Sequence, residues 1–335
     1  MNKYTFLANT ACLALACASS SKASLSAQPP PSPAQAALLN GNLLEAAALF
    51  SEYCQQNPLL YMADCLQAGN LWTELQHWEQ VELVLKPIAN PLGSELALEA
   101  CFPLAFSYFE RGQLEEAASL LKPIAEYNGP NNRWQLRAKT EYAICLLEQG
   151  ERTKAQLLLE TVAASSPSPE DELEQNSWAK AKFFLAEIAF LYFAESPFCN
   201  RCPVHVMAQE VEKKAQLLLA SQELFVQTIQ TQNTYWAIAA GMRIGELYET
   251  LYHHLLASPL PLEIHPENAE SYRKEMRKLL RNLLGKALQN YESTLHTAER
   301  IGVTGFFARR TRERLVHLTQ QLLDSPEDTP TTPLE

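Results

Sequence analysis

The longest hydrophobic pattern in this chain runs from about Pro266 to Arg300. Tyr272, Met276, Leu279, Leu280, Leu283, Leu284, Ala287, Leu288, Tyr291 and Leu295 keep to one face of a single helix there. At 1.5 Å per residue such a helix is roughly 50 Å long. Apolar stretches at Trp178–Ala194, Met207–Gln230, Tyr235–Ala257 and Phe306–Leu323 predict four more helices, three of which pair with their neighbours as long hairpins. The polar run SSPSPEDELEQ at 165–175, rich in turn and capping residues, separates these from an earlier, shorter-period region. There the pattern returns on itself. Gly41, Gly112 and Gly150 each open a similar amphipathic stretch, and LKPIA at 85–89 recurs at 121–125. Self-similarity at that spacing marks stacked helix pairs, none of which could bury its apolar face alone.

Composition agrees with an all-α chain. Of 335 residues, 47% are hydrophobic and only 11 are glycine, too few for a turn-rich β fold. The net charge of −11 argues against nucleic acid as a partner. That charge is uneven: residues 267–323 carry 11 basic and 6 acidic groups, against 16 and 28 in residues 1–266.

Aligned on Gly112, the early repeats place small and large residues at fixed offsets. Leu104, Ala105, Tyr108, Ala117 and Leu121 set the pattern, and Ala143, Ala155, Leu159 and Pro167 follow it. Gly69, Trp72 and Leu85 fit the copy before, where Val81 replaces a small residue. The first copy keeps Ala46, Phe50 and Pro58, with its front helix expected to be largely missing. This spacing resembles the tetratricopeptide repeat. Small residues let two helices approach, large ones fill the space beside them, and Pro or Gly ends the pair. Ile244, Gly245 and Tyr248 fit again in the second half. The resemblance implies a right-handed solenoid of antiparallel helix pairs, with longer helices toward the C-terminus, serving as a non-catalytic protein–protein scaffold. Residues 214–315 also resemble a module in cell-envelope tetratricopeptide proteins of myxobacteria-type bacteria. That likeness implies an envelope scaffold, with relatives in motility or envelope machinery.

The N-terminus carries an export pattern. No Asp or Glu occurs before Glu45, and Lys3 precedes an apolar run with the length of a signal-peptide core. Two processing sites overlap. Leu15-Ala16-Cys17 resembles the lipobox, in which Cys17 is lipidated; Ala16-Cys17-Ala18 fits ordinary cleavage and secretion. The domain expectation is a signal peptide at 1–18, a flexible tether at 19–33, short repeats at 34–165, long hairpins with a capping helix at 175–323, and a disordered tail at 324–335. Ala18 lacks the acidic side chain of inner-membrane retention, so the expected address is the outer membrane, facing the periplasm. Partners would be envelope proteins or peptides, with the membrane held through the N-terminal lipid.

Candidate chemistry is sparse. Cys199 and Cys202 form a CxxC that reads as a loop disulfide, a metal half-site or a redox pair. An exported chain favours the disulfide, and no cofactor or metal is expected. Cys54 and Cys65 flank the Asn57-Pro58 turn unequally, at heights differing by about 6 Å, and are a second candidate pair. Cys101 and Cys145 read as separate buried thiols. Arg273, Lys274, Arg277, Lys278 and Arg281 form a basic face on the long helix, either a docking surface for an anionic partner or a solvated face balancing an acidic array. HExxH, GxSxG, P-loop and GxGxxG motifs are all absent, and no residue earns a catalytic role.

Overall fold

A computed structural model of the chain describes residues 31–127 and 132–323. The expected signal peptide with Cys17, nearly all of the tether and the C-terminal tail lie outside the described residues. Among those described, helices and their connections make up the whole structure, and no strand occurs. The helices are α1 (Pro33–Leu39), α2 (Leu43–Gln56), α3 (Met62–Glu74), α4 (Trp78–Leu85), α5 (Glu95–Glu110), α6 (Leu114–Ala125), α7 (Asn132–Glu148), α8 (Arg152–Ala163), α9 (Glu172–Glu195), α10 (Val204–Ile229), α11 (Thr234–Ala257), α12 (Ala269–Arg300) and α13 (Phe306–Leu323). Successive helices pack as adjacent pairs, as in a tetratricopeptide-like solenoid. The chain divides into two compact units, one of residues 1–162 with 170–177, the other of 163–169 with 178–335.

In the first unit one turn is used four times. Gly41, Gln76, Gly112 and Gly150 all adopt positive φ, at 75°, 59°, 74° and 85°. The next N–H reaches back five residues in each: Asn42 to Ala37, His77 to Trp72, Gln113 to Tyr108, Glu151 to Leu146, at 2.8–2.9 Å. This satisfies carbonyls the ending helix leaves open, and it reverses the chain within three residues. Three copies use glycine because the left-handed conformation crowds a Cβ; Gln76 is the exception.

Packing follows the small-on-large rule. Ala46, Ala105, Ala117, Ala143 and Ala155 are all buried. A Cβ added to Gly69 would lie 2.5 Å from Leu85, so this pair closes only on glycine. The first copy keeps more of its front helix than its proline-rich sequence promises. Pro33 sits in the first turn of α1, Ser32 and Gln35 cap it reciprocally, and Ala34 is fully buried at the small-residue position.

The second unit has a core of aromatic rings in tilted contact. Phe183 lies 5.7 Å from Phe225, 5.1 Å from Trp236 and 6.2 Å from Phe307, joining α9, α10, α11 and α13. Gly245 faces Tyr291, and an added Cβ would overlap that ring. The apolar stripe of α12 does not stay buried along its whole length. Leu284, Ala287, Tyr291 and Leu295 are buried, whereas Leu279 is exposed. Ahead of α12, Pro266–Asn268 forms a 3-10 turn instead of continuing the helix.

Candidate functional site

The front helices α3, α5 and α7 lie side by side in the first unit. Between α5 and α7, Phe102 stacks on Trp134 at 5.5 Å, the Arg137 guanidinium covers Phe102 at 4.2 Å, and Arg133 covers Trp134 at 5.0 Å. Glu99 is half-buried beside them. Burial pushes its carboxyl up, against the pull of Arg137 and Arg133. At the C-terminal end of α5, Glu110 is half-buried, and its Oε1 has no hydrogen-bond partner. Burial pushes this carboxyl up to about 7. The result is a face with rings below and charges of both signs above, suited to a peptide that offers both.

The basic residues of α12 are largely engaged within the protein. Arg273 donates to the carbonyl of Leu256 in the last turn of α11, where a cation also meets the helix dipole. Arg277 pairs with Glu270 at 2.9 Å and Lys278 with Glu275 at 3.1 Å. Lys274 and Arg281 are exposed on the same helix. On α13, Arg312 meets Glu299 at 2.9 Å, while Arg314 turns inward, so these arginines do not extend one continuous face.

The inward turn of Arg314 belongs to a network that pattern reading missed. Arg243 grips the fully buried Glu187 with Nε and Nη2 at 2.5 and 2.6 Å, and its Nη1 donates to Glu246. Arg314 donates to Glu249 at 2.9 Å, and the Tyr291 hydroxyl donates to the same carboxylate oxygen at 2.8 Å. Arg243 also lies 4.1 Å above the Phe190 ring. Burial opposes the Arg243 charge, but Glu187 and Glu246 outweigh it and hold its pKa above the ordinary value. Five charges and a hydroxyl thus tie α9, α11, α12 and α13 together. The sequence signal was available: Glu187 in FLAEIAF and Arg243 in AAGMRIG are charges on otherwise apolar helix faces.

Cys199 and Cys202 are joined in a disulfide between α9 and α10. Leu262 N–H donates to the Cys202 carbonyl at 3.0 Å, and the Glu263 carboxylate accepts from Val204 N–H at 3.0 Å, capping α10 from another loop. Beneath the loop, buried Lys214 donates to the Ser196 carbonyl, with the rings of Phe193 and Phe198 5.4 and 5.0 Å away. Burial holds its pKa below the ordinary value, against Glu210. Burial also lowers His254, with Lys214 and His253 adding to the effect, and His254 Nδ1 has no hydrogen-bond partner. Among the described residues no three His, Cys, Asp or Glu side chains converge as a metal site requires.

Cys54 and Cys65 also form a disulfide, with Cα atoms 4.8 Å apart. The expected height difference disappears because the five-residue connection falls mostly on the Cys65 side. Cys54 lies two residues from the end of α2, and Cys65 three residues into α3. Cys101 and Cys145 are separate and buried, and burial pushes the Cys101 thiol up to about 12.

Residues 108–171, from the end of α5 to the start of α9, match the Tetratricopeptide repeat family. The repeat family is thereby supported. Repeats of this kind mediate protein interactions, and no enzymatic family is indicated. No curated protein matches the chain. The family match ends before 214–315 and lends no support to the expected likeness of that region to envelope modules.

Proposed function

We propose that the protein is a non-catalytic binding scaffold of the bacterial cell envelope, held at a membrane through lipidated Cys17, with the ring-backed face of α5 and α7 taking a peptide or subunit of an envelope assembly. The observation that carries this reading is the tetratricopeptide repeat at 108–171. Glu99, Arg133 and Arg137 supply the specificity and Phe102 with Trp134 the rigid floor. The basic residues Arg273, Lys274, Arg277, Lys278 and Arg281 are a secondary contact, since several of them already have partners within the chain. Pull-down from membranes with the anchor intact tests the scaffold. The wild type should retain a defined partner that the Arg133→Glu/Arg137→Glu variant loses, and equal capture by both would overturn this choice of face. Mass spectrometry of the native N-terminus tests the anchor. A diacylated or triacylated Cys17 is expected, whereas a chain beginning at Ser19 would make the protein a soluble secreted adaptor.

A further inference from the structure

The first unit has two unlike edges. Its helices alternate in direction, so α1, α3, α5 and α7 begin at one edge, and the turns inside each pair lie at the other. The turns α3–α4, α5–α6 and α7–α8 carry Gln76-His77, Arg111-Gly112-Gln113 and Gln149-Gly150-Glu151, and the exposed leucines of this edge, Leu39 and Leu44, flank the first turn, α1–α2. Connections between pairs expose large apolar side chains at each step. Leu59 and Leu60, after Pro58, are 73% and 71% exposed; Leu92, after Pro91, is 71% exposed. Leu96 and Tyr127 are exposed at the same edge. Two of the flanking charges there are paired with near neighbours, Lys86 with Glu82 and Lys122 with Glu126, whereas Glu95 is exposed in the first turn of α5.

Loops at a water-facing edge are ordinarily polar, and a row of bare leucines with a tyrosine marks a contact surface. What it contacts is indicated by where the chain leaves it. Pro33, the first residue of α1, emerges at this apolar edge, and the segment leading to Cys17 continues from there. We infer that the apolar edge of the first unit rests on the lipid bilayer, with Leu59, Leu60, Leu92 and Tyr127 at the depth of the headgroup boundary. This deepens the membrane-anchored reading and rests on it for orientation. Leucine tips supply burial in the acyl boundary and tyrosine suits the interface, whereas a single lipid chain gives only marginal, reversible binding and needs a second element. The contact is apolar, so it does not require anionic lipid.

The test uses the processed chain starting at Ser19, which keeps every described helix and carries no lipid. It should co-float with phosphatidylcholine vesicles. Leu59→Ser/Leu60→Ser/Leu92→Ser should weaken that binding by about tenfold or more. Leu39→Ser/Leu44→Ser, leucines 79% and 57% exposed at the opposite edge, should leave it unchanged. Leu92→Trp should tighten it, a readout that a folding defect would not give. Failure to co-float, equal loss in both leucine variants, or binding that appears only with phosphatidylglycerol and vanishes in salt would overturn the proposal. The last result would assign the contact to the basic helix α12. A native N-terminus at Ser19 would defeat the lipid anchor and leave the vesicle result standing.

Discussion

The two units solve the problem of closing helix pairs differently. Among the described residues, the first unit buries Ser51, Ser107, Thr140 and Ser177 but no charged side chain. The second buries Lys180, Glu187, Lys214 and Glu249. Short helices joined within each pair by three-residue turns are aligned by the turns themselves. In the second unit, α11 and α12 are joined by eleven residues, and such a connection fixes no axial alignment. Leucine against leucine tolerates a slip of one helical turn. Across α11 and α12 the Tyr291 hydroxyl bond to Glu249 is satisfied at one alignment only, and the two-pronged contact from Arg243 to Glu187 does the same between α11 and α9. The long helices add side-chain bonds where a connection fixes little, and they use the turn of the short pairs again between α12 and α13, at Gly302.

That contrast can be broken most severely at Arg243. Arg243→Met leaves Glu187 buried without its partner and should destabilise the second unit by about 3–5 kcal/mol in urea titrations. Glu187→Leu/Arg243→Met should recover most of the loss, because the fully buried carboxylate goes with its partner, and Glu246, which also loses Arg243, keeps partial exposure and Arg314 at 4.0 Å. A double variant as unstable as the single would show that the pair contributes through packing of the arginine stem instead. Next in size is Gly245→Ala, which drives a Cβ into the Tyr291 ring. That ring is held by its hydroxyl bond to Glu249, so a loss of about 1–3 kcal/mol is expected. Gly285→Ala on α12 meets open space and should stabilise by about 0.5–1 kcal/mol. Finding the same sign for both would place the helix contact elsewhere.

Smaller effects belong to the first unit. Gln76→Gly relieves a positive φ at the one turn lacking glycine and should raise stability by about 0.5 kcal/mol, read as a higher urea midpoint. The same unit should show a pH slope from Glu110, reduced by the partial exposure of the group. Its folded pKa is raised to about 7 from 4.5, so the folded state holds a proton more tightly than the unfolded one. Stability from this group is present below about pH 4.5 and is lost as pH rises through about 7. Thermal melts should therefore show Glu110→Gln with a flatter profile across that window than the wild type.

Repeat phase was legible because helix contacts demand small residues at fixed offsets. Gly69 and Gly245 stand where spacing put them, against Leu85 and Tyr291. Whole helices were legible for the same reason, and α13 begins and ends at the residues its pattern marks. The charged network was not, since sorting residues into apolar and polar assigns Glu187 and Arg243 to the surface. Their burial depends on each other across 56 residues, which no local period encodes. Arg273 illustrates the opposite difficulty. It reads as part of a basic stripe, yet its partner is a backbone carbonyl, a group that leaves no trace in the pattern of side chains.

The bond between Cys54 and Cys65 bears on how the protein responds to mechanical force. A pull applied through the segment ahead of Pro33 would peel α1 and then α2 from the end of the array. At Cys54 the load passes through the sulfur bridge directly into α3, and the stretch between the two cysteines never extends. With 11 residues of separation, that hidden length is roughly 35 Å of extended chain. The oxidised protein should thus lengthen less per peeling event than the reduced one. Its first strong resistance would come from α3, beyond the truncated hairpin that would otherwise be the easiest part to unravel.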